Sequence, residues 1–171
     1  MTNKSSAKPA SKKAKATEVA IIMGSDSDLK TMEAAREALD ELGVPCSMKI
    51  LSAHRTPHEV AQFGEGARGA GIKVIIAGAG GAAHLPGMVA SYTDLPVIGV
   101  PVAIGPLQGV DALHSIVQMP RGVPVATVAI GNAWNAGVLA AQILATNDEK
   151  LAERLATYKI AMRNQVMAKK I

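Results

Sequence analysis

The sequence predicts an α/β fold in which a parallel sheet of about five strands is covered by helices on both faces. Three observations predict it. Short apolar runs rich in Val, Ile and Ala alternate with stretches whose apolar residues recur at helical spacing. The connections are too short to hold separate domains, which leaves parallel strands joined by helical crossovers. The strands end in glycine-rich or polar turns, as in open sheets that bind ligands beyond the carboxyl ends of their strands.

Residues 18–23 read as a buried strand, followed by the turn Gly24-Ser25-Asp26-Ser27-Asp28. A helix then lines up Leu29, Met32, Ala35, Leu39 and Leu42 and stops at Gly43, ahead of Pro45. The second strand, 46–51, ends in Ser52-Ala53-His54-Arg55-Thr56-Pro57. Thr56 as N-cap, Pro57 at the first helical position and Glu59 three residues on predict a helix to about Ala70. The third strand, 73–77, runs into the glycine-rich stretch 78–87, and a short helix covers 85–92. The fourth strand, 96–100, is closed by Pro101; a loop through Gly105-Pro106 and Gly109 leads to a helix near 111–117. A fifth strand at 125–130 precedes helices at 132–145 and 149–167. The last helix has no strand to return to. Leu151, Leu155, Tyr158 and Met162 form its apolar stripe, which suits either its own sheet or a neighbouring subunit.

Composition narrows the function. The 171 residues suit one domain, at 18–171, of which about 146–171 is a C-terminal helical extension. Aromatic residues make up 2% of the chain, so the core is built from small aliphatic side chains and helices can pack close. The net charge of +4 is carried by the first 17 residues, which hold five Lys and no acid; the remaining 13 basic and 14 acidic residues nearly cancel. That Ser/Ala/Lys/Pro tail is predicted to be disordered. Without a basic face or aromatic stacking residues, nucleic acid is not an expected partner. No apolar run approaches the roughly 18 residues of a membrane span, so no membrane partner is expected. A single cysteine, Cys46, excludes an internal disulfide and fits a reducing cytoplasm.

Three strand-end turns carry the candidate chemistry. In the first, backbone N–H groups at a helix start favour an anion, Ser25 or Ser27 can donate to it, and Asp28 suits a sugar diol. Helix capping by Ser27 or Asp28 is the competing reading. In the second, Arg55 matches a phosphate bidentately, and His54 is the side chain whose ordinary pKa lies near neutrality, suited to general acid–base work. An exposed His beside a solvated Arg is the alternative. In the third, Gly78 to Gly87 forms a close wall, with His84 catalytic, wall-forming or fixing the turn. Arg121 is a second anion contact or part of a solvated loop. One Cys and four scattered His offer no metal-ligand spacing, and neither a Walker loop nor a nucleophile elbow occurs.

Taken together, 24–28, 52–57, 77–88 and Ser115-Ile116-Val117-Gln118-Met119-Pro120 resemble the phosphoribosylaminoimidazole carboxylase family of purine biosynthesis, in its bacterial mutase form. The resemblance covers about residues 18–160. It implies a flavodoxin-like three-layer sandwich and a homo-octamer with active sites between subunits. It implies conversion of N5-carboxyaminoimidazole ribonucleotide to the 4-carboxy isomer through decarboxylation and recarboxylation, with no cofactor or metal. It implies His54 as acid–base, with Ser25, Asp28 and Arg55 binding the ribonucleotide. Ser27, Ser52, Gly80, Gly81 and His84 join them as substrate-binding candidates. The related animal-type enzyme carboxylates the ribonucleotide directly; it usually has Lys where this chain has Arg55, and lacks the Ala83-His84-Leu85-Pro86-Gly87 pattern. The segment 131–136 looks one residue shorter than the family pattern and introduces Trp134. A non-catalytic flavodoxin-like binding or receiver module is the competing class. A receiver would need an acid ending the third strand and a Lys ending the fifth, where Ala77-Gly78 and Ile130-Gly131 stand.

Overall fold

The computed structural model describes residues 17–170. The tail expected to be disordered lies outside them, except for Thr17. Five strands, β1 (Val19–Met23), β2 (Cys46–Ile50), β3 (Val74–Gly80), β4 (Val97–Val102) and β5 (Ala126–Thr127), form one parallel sheet in the order β2-β1-β3-β4-β5. Six helices surround it: α1 (Leu29–Glu41), α2 (Pro57–Ala67), α3 (Leu85–Ser91), α4 (Val110–Val117), α5 (Ala133–Ala145) and α6 (Glu149–Met167). This strand order is the flavodoxin-like one, and its direction reverses between β1 and β3.

Strand alternation divides the core into two layers. Val19, Ile21 and Met23 of β1, with Val74, Ile76, Ile98 and Val100, face α1, α5 and the start of α6. Ala20, Ile22, Ile75, Ala77 and Val97 face α2, α3 and α4. Strands buried on both faces read as unbroken apolar runs, which is why β1 and β3 stand out in the sequence.

Small residues set the helix spacing. A Cβ on Gly137 of α5 would lie 2.6 Å from the Ala35 carbonyl of α1, and one on Gly64 of α2 would lie 2.6 Å from Tyr92 Cβ. The first half of helix α6 docks on the chain's own sheet layer. Leu151 and Leu155 are buried in the chain's own core, Arg154 Nε donates to the Leu42 carbonyl at 2.8 Å, and Trp134 Nε1 donates to the Tyr158 hydroxyl at 3.0 Å. Beyond Tyr158, Ile160, Met162, Val166 and Met167 are exposed.

Helix α2 ends at Ala67 rather than near Ala70, and three strand ends differ from expectation by two residues or more. Strand β3 continues through Gly78 to Gly80, because Ala79 and Gly80 pair with Pro101 and Val102 of β4. Strand β4 likewise passes through Pro101: its ladder with β5 ends at Gly99, so the missing proline N–H breaks no bond on that side. Strand β5 is only two residues long. The chain after it stays against β4 through Val128 N–H to the Gly99 carbonyl and Gly131 N–H to the Pro101 carbonyl, without a regular ladder.

Candidate active site

The turn after β1 is a tight 3-10 turn at Asp26–Asp28 closed by a capping box. Ser25 N–H donates to Asp28 Oδ2 at 3.1 Å, and Ser25 Oγ accepts from Ser27 N–H at 3.4 Å while donating to Asp26 Oδ1 at 2.9 Å. Ser25 is therefore the cap, where the sequence pointed to Ser27 or Asp28; Asp28 begins α1 without a side-chain bond to that helix. Asp28 is only 4% exposed. Burial pushes its carboxyl above the usual carboxylate range, against the pull of the Ser25 and Gly24 N–H groups, the Ser27 hydroxyl and Arg55. Asp26 is fully exposed, and the Ser25 hydroxyl followed by the Ser27 N–H holds it below that range.

The turn after β2 is held by Thr56 in an unexpected way. Its hydroxyl caps no helix N–H; it accepts from Ser52 N–H at 2.9 Å and donates to the Ser52 carbonyl at 3.1 Å. The predicted capping box is thus absent, and Thr56 clamps the loop that presents His54 and Arg55. Arg55 uses its Nε to reach Ser52 Oγ at 3.1 Å and an Nη to reach the Gly24 carbonyl at 2.8 Å. It ties the second turn to the first and retains N–H groups for an anion.

The turn after β3 holds Gly81 and Ala83 at positive φ, 64° and 47°. A non-glycine residue in that region carries strain, a condition that gathers around functional sites. His84 follows, and its Nδ1 stands 2.7 Å from His54 Nε2 with the two rings edge to face. A Cβ on Gly80 would fall 2.5 Å from Ile104 Cγ1 and 3.0 Å from the Val102 carbonyl, so glycine there lets Ile104 close over the turn.

Together these turns enclose a cavity of about 190 Å³ that includes Gly24, Ser25, Ser27, Asp28, Ser52, His54, Arg55, Gly80 and His84. It lies between the ends of β1 and β3, at the topological switch point. Of the expected site residues only Gly81 is not in its lining. Ala53, Ala79, Ala83, Leu85 and Ile104 complete the wall. Ile104 was missed by sequence reasoning, its one signal being an apolar residue inside a Gly/Pro loop. A second cavity of about 380 Å³ adjoins across Arg55 and is lined by Asp26, Ile50 and Thr56. Arg121, His58 and His114 are exposed and line neither. A larger hollow of about 620 Å³ near Glu18, Lys73 and Asn147 holds none of the turn residues, so volume alone does not locate the site. Among the described residues no group of three or more His, Cys, Asp or Glu is placed to hold a metal ion.

Anion donors, a buried carboxylate and a pair of imidazoles converge on one small, partly apolar hollow. The arrangement can bind a phosphorylated, hydroxylated ligand and move a proton. Residues 18–165 match the family model described as AIR carboxylase. The chain is 58% identical over 151 residues to N5-carboxyaminoimidazole ribonucleotide mutase of Synechocystis, covering 88% of this chain and 86% of that one. It is likewise 58% identical to the mutase of Thermotoga maritima, covering 88% of each. It is also 58% identical to phosphoribosylaminoimidazole carboxylase of Schizosaccharomyces pombe, but there covers only 27% of the longer protein. The crystal structure of Treponema denticola PurE superimposes with a TM-score of 0.80 at 28% identity, over 87% of this chain and 93% of that one. The chain belongs to the AIR carboxylase family.

Proposed function

We propose that this enzyme converts N5-carboxyaminoimidazole ribonucleotide to 4-carboxy-5-aminoimidazole ribonucleotide in purine biosynthesis, with residues 18–171 as its catalytic unit. The observation that carries the reading is the convergence of His54, Arg55, Asp28 and the Gly80 turn on one cavity at the switch point. Arg55 and the Ser25–Ser27 turn bind the phosphate, Asp28 accepts from the ribose hydroxyls, and Ser52 holds the Arg55 guanidinium. Gly80 and His84 wall in the aminoimidazole, and Gly81 at positive φ shapes the turn that carries them.

His54 gives a proton to N5 as the N5–carboxyl bond breaks, releasing carbon dioxide into the enclosed hollow. Carbon dioxide then forms a bond to C4, and His54 takes the C4 proton, so the proton count closes within one turnover. The rearrangement calls for no ATP, redox partner or cofactor. Confinement prevents loss of a small neutral intermediate, and positioned proton transfer supplies about 10²–10⁴-fold.

The half-open cavity and the exposed Leu107, Val110, Val117 and distal α6 residues support a homo-octamer that completes each site from a neighbour. A lone cysteine and a phosphorylated metabolite support a cytoplasmic enzyme. No helix among the described residues is long and apolar enough to cross a membrane.

Purified protein is expected to isomerise the N5-carboxylated ribonucleotide without ATP or added metal, and His54→Asn to lose about 10²–10⁴-fold in kcat. Turnover only of the uncarboxylated ribonucleotide with bicarbonate would assign the direct carboxylase instead. Full activity of His54→Asn would remove His54 from the chemistry.

A further inference from the structure

Segment 115–120 is one of the four stretches that carry the family resemblance, and its serine lies on α4, outside the cavity lining. Hydroxyl side chains inside helices ordinarily bond to a carbonyl one turn back on their own helix. Ser91, Thr146 and Thr157 do so, donating to the carbonyls of Met88, Ile143 and Glu153. Ser115 does not. From the last turn of α4 its Oγ donates to the Ala82 carbonyl, thirty-three residues away.

Ala82 lies between Gly81 and Ala83, both at positive φ, and the Ala83 N–H closes the turn on the Gly80 carbonyl at 3.2 Å. A strained turn persists only where its surroundings over-determine it. Ser115 supplies that tether, and the next residue after the turn is His84, whose Nδ1 lies 2.7 Å from His54 Nε2.

We infer that Ser115 is a positioning residue: by pinning the Ala82 carbonyl it aims His84 at His54 and so fixes the orientation of the acid–base imidazole. The inference rests on the mutase reading for its kinetic consequence. A shift of about 1 Å at a reacting group costs on the order of 10²-fold, and a loosened turn permits a shift of that size.

The test compares Ser115→Ala, Ser115→Thr, His84→Ala and the Ser115→Ala/His84→Ala double variant. Ser115→Ala is expected to lower kcat by about 10- to 100-fold with KM held within about twofold, while Ser115→Thr, which keeps the hydroxyl, retains most activity. If Ser115 acts through His84, the double variant is no slower than His84→Ala alone. Wild-type kcat in Ser115→Ala, or additive losses in the double variant, would overturn the inference. Alanine improves helix propensity at this site, and the near-isosteric Ser115→Cys, with its weaker donor, reads the same loss should the alanine variant misfold.

A second readout needs no substrate. The rate at which diethylpyrocarbonate modifies each histidine is followed by peptide mass, with exposed His58 and His114 as internal references. Ser115→Ala is expected to raise modification of His54 and His84 severalfold against those references; equal rates overturn the inference. This arm stands even if the protein fails to turn over the carboxylated ribonucleotide, an outcome that counts against the mutase reading alone.

Discussion

Asp28 offers the sharpest division between a residue kept for the fold and one kept for a ligand. Its carboxylate accepts from Ser25 N–H at 3.1 Å, and it is 4% exposed. Burial raises its pKa from the ordinary 3.8, so the ionised form is held at a cost to the folded state. Asparagine keeps an acceptor for the Ser25 N–H and removes the charge. Asp28→Asn is therefore expected to melt at the same temperature as the parent, or higher, near pH 7.5. Asp28→Ala loses the capping-box bond to Ser25 N–H and about 1 kcal/mol.

For the substrate both variants are expected to weaken binding, Asp28→Ala the more. A hydrogen bond to a charged group contributes about 1.5–3 kcal/mol against 0.5–1.5 for a neutral one. Two ribose hydroxyls then lose about 2–3 kcal/mol in the Asn variant, a rise in KM of roughly 30- to 150-fold.

The pH dependence follows from the direction of the shift. A carboxyl whose folded pKa is raised binds its proton more tightly when folded, so its contribution to stability falls as pH rises from 3.8 through the folded value. The parent should accordingly gain on Asp28→Asn as pH is lowered through that window. Melting curves from pH 8 to 4 and steady-state kinetics at pH 7.5 make the comparison. A KM within twofold of the parent, or an Asn variant as destabilised as the Ala variant, would refute the ligand assignment and leave Asp28 only the capping-box partner of Ser25.

Arg55→Lys should raise KM about tenfold with the fold intact, because an ammonium cannot reproduce the fork spanning Ser52, Gly24 and a phosphate; steady-state kinetics and melting show it. Gly80→Ala places a methyl 2.5 Å from Ile104 Cγ1 and 3.0 Å from the Val102 carbonyl, so overpacking of about 1–3 kcal/mol is expected with loss of turnover. Adding Ile104→Ala should restore only part, since the carbonyl contact remains. Gly137→Ala meets the Ala35 carbonyl at 2.6 Å, and its expected cost of about 1–3 kcal/mol should appear in urea unfolding with kcat unchanged, because the position is remote from the cavity.

Much of the fold was legible because its signals are local. Unbroken apolar runs marked β1 and β3, a helical stripe ending at Gly43 marked α1, and Pro57 at the first helical position marked the start of α2. Where strand ends depend on partners, the reading failed: β3 and β4 extend each other through Gly80 and Pro101, and β5 shrinks to two residues. Thr56 carries every sequence feature of a helix cap, yet its hydroxyl is taken by Ser52, a competition between two nearby backbone partners that spacing cannot rank. The candidate site residues were visible as polar types and glycines at strand ends. Ile104 was not, since a lone aliphatic residue in a loop reveals nothing until β4 sets it over Gly80.

The sequence by itself determined the strands, the glycine turns, the polar residues that end three strands, and through four motifs the family. Only the tertiary structure decided that Arg55 bridges to Gly24, that His54 meets His84, and that Ser115 reaches Ala82. Each of these joins residues about thirty positions apart, whose approach depends on strand order and register. Sequence pattern records what a residue does to its own neighbourhood. Which neighbourhoods meet is set when the sheet forms.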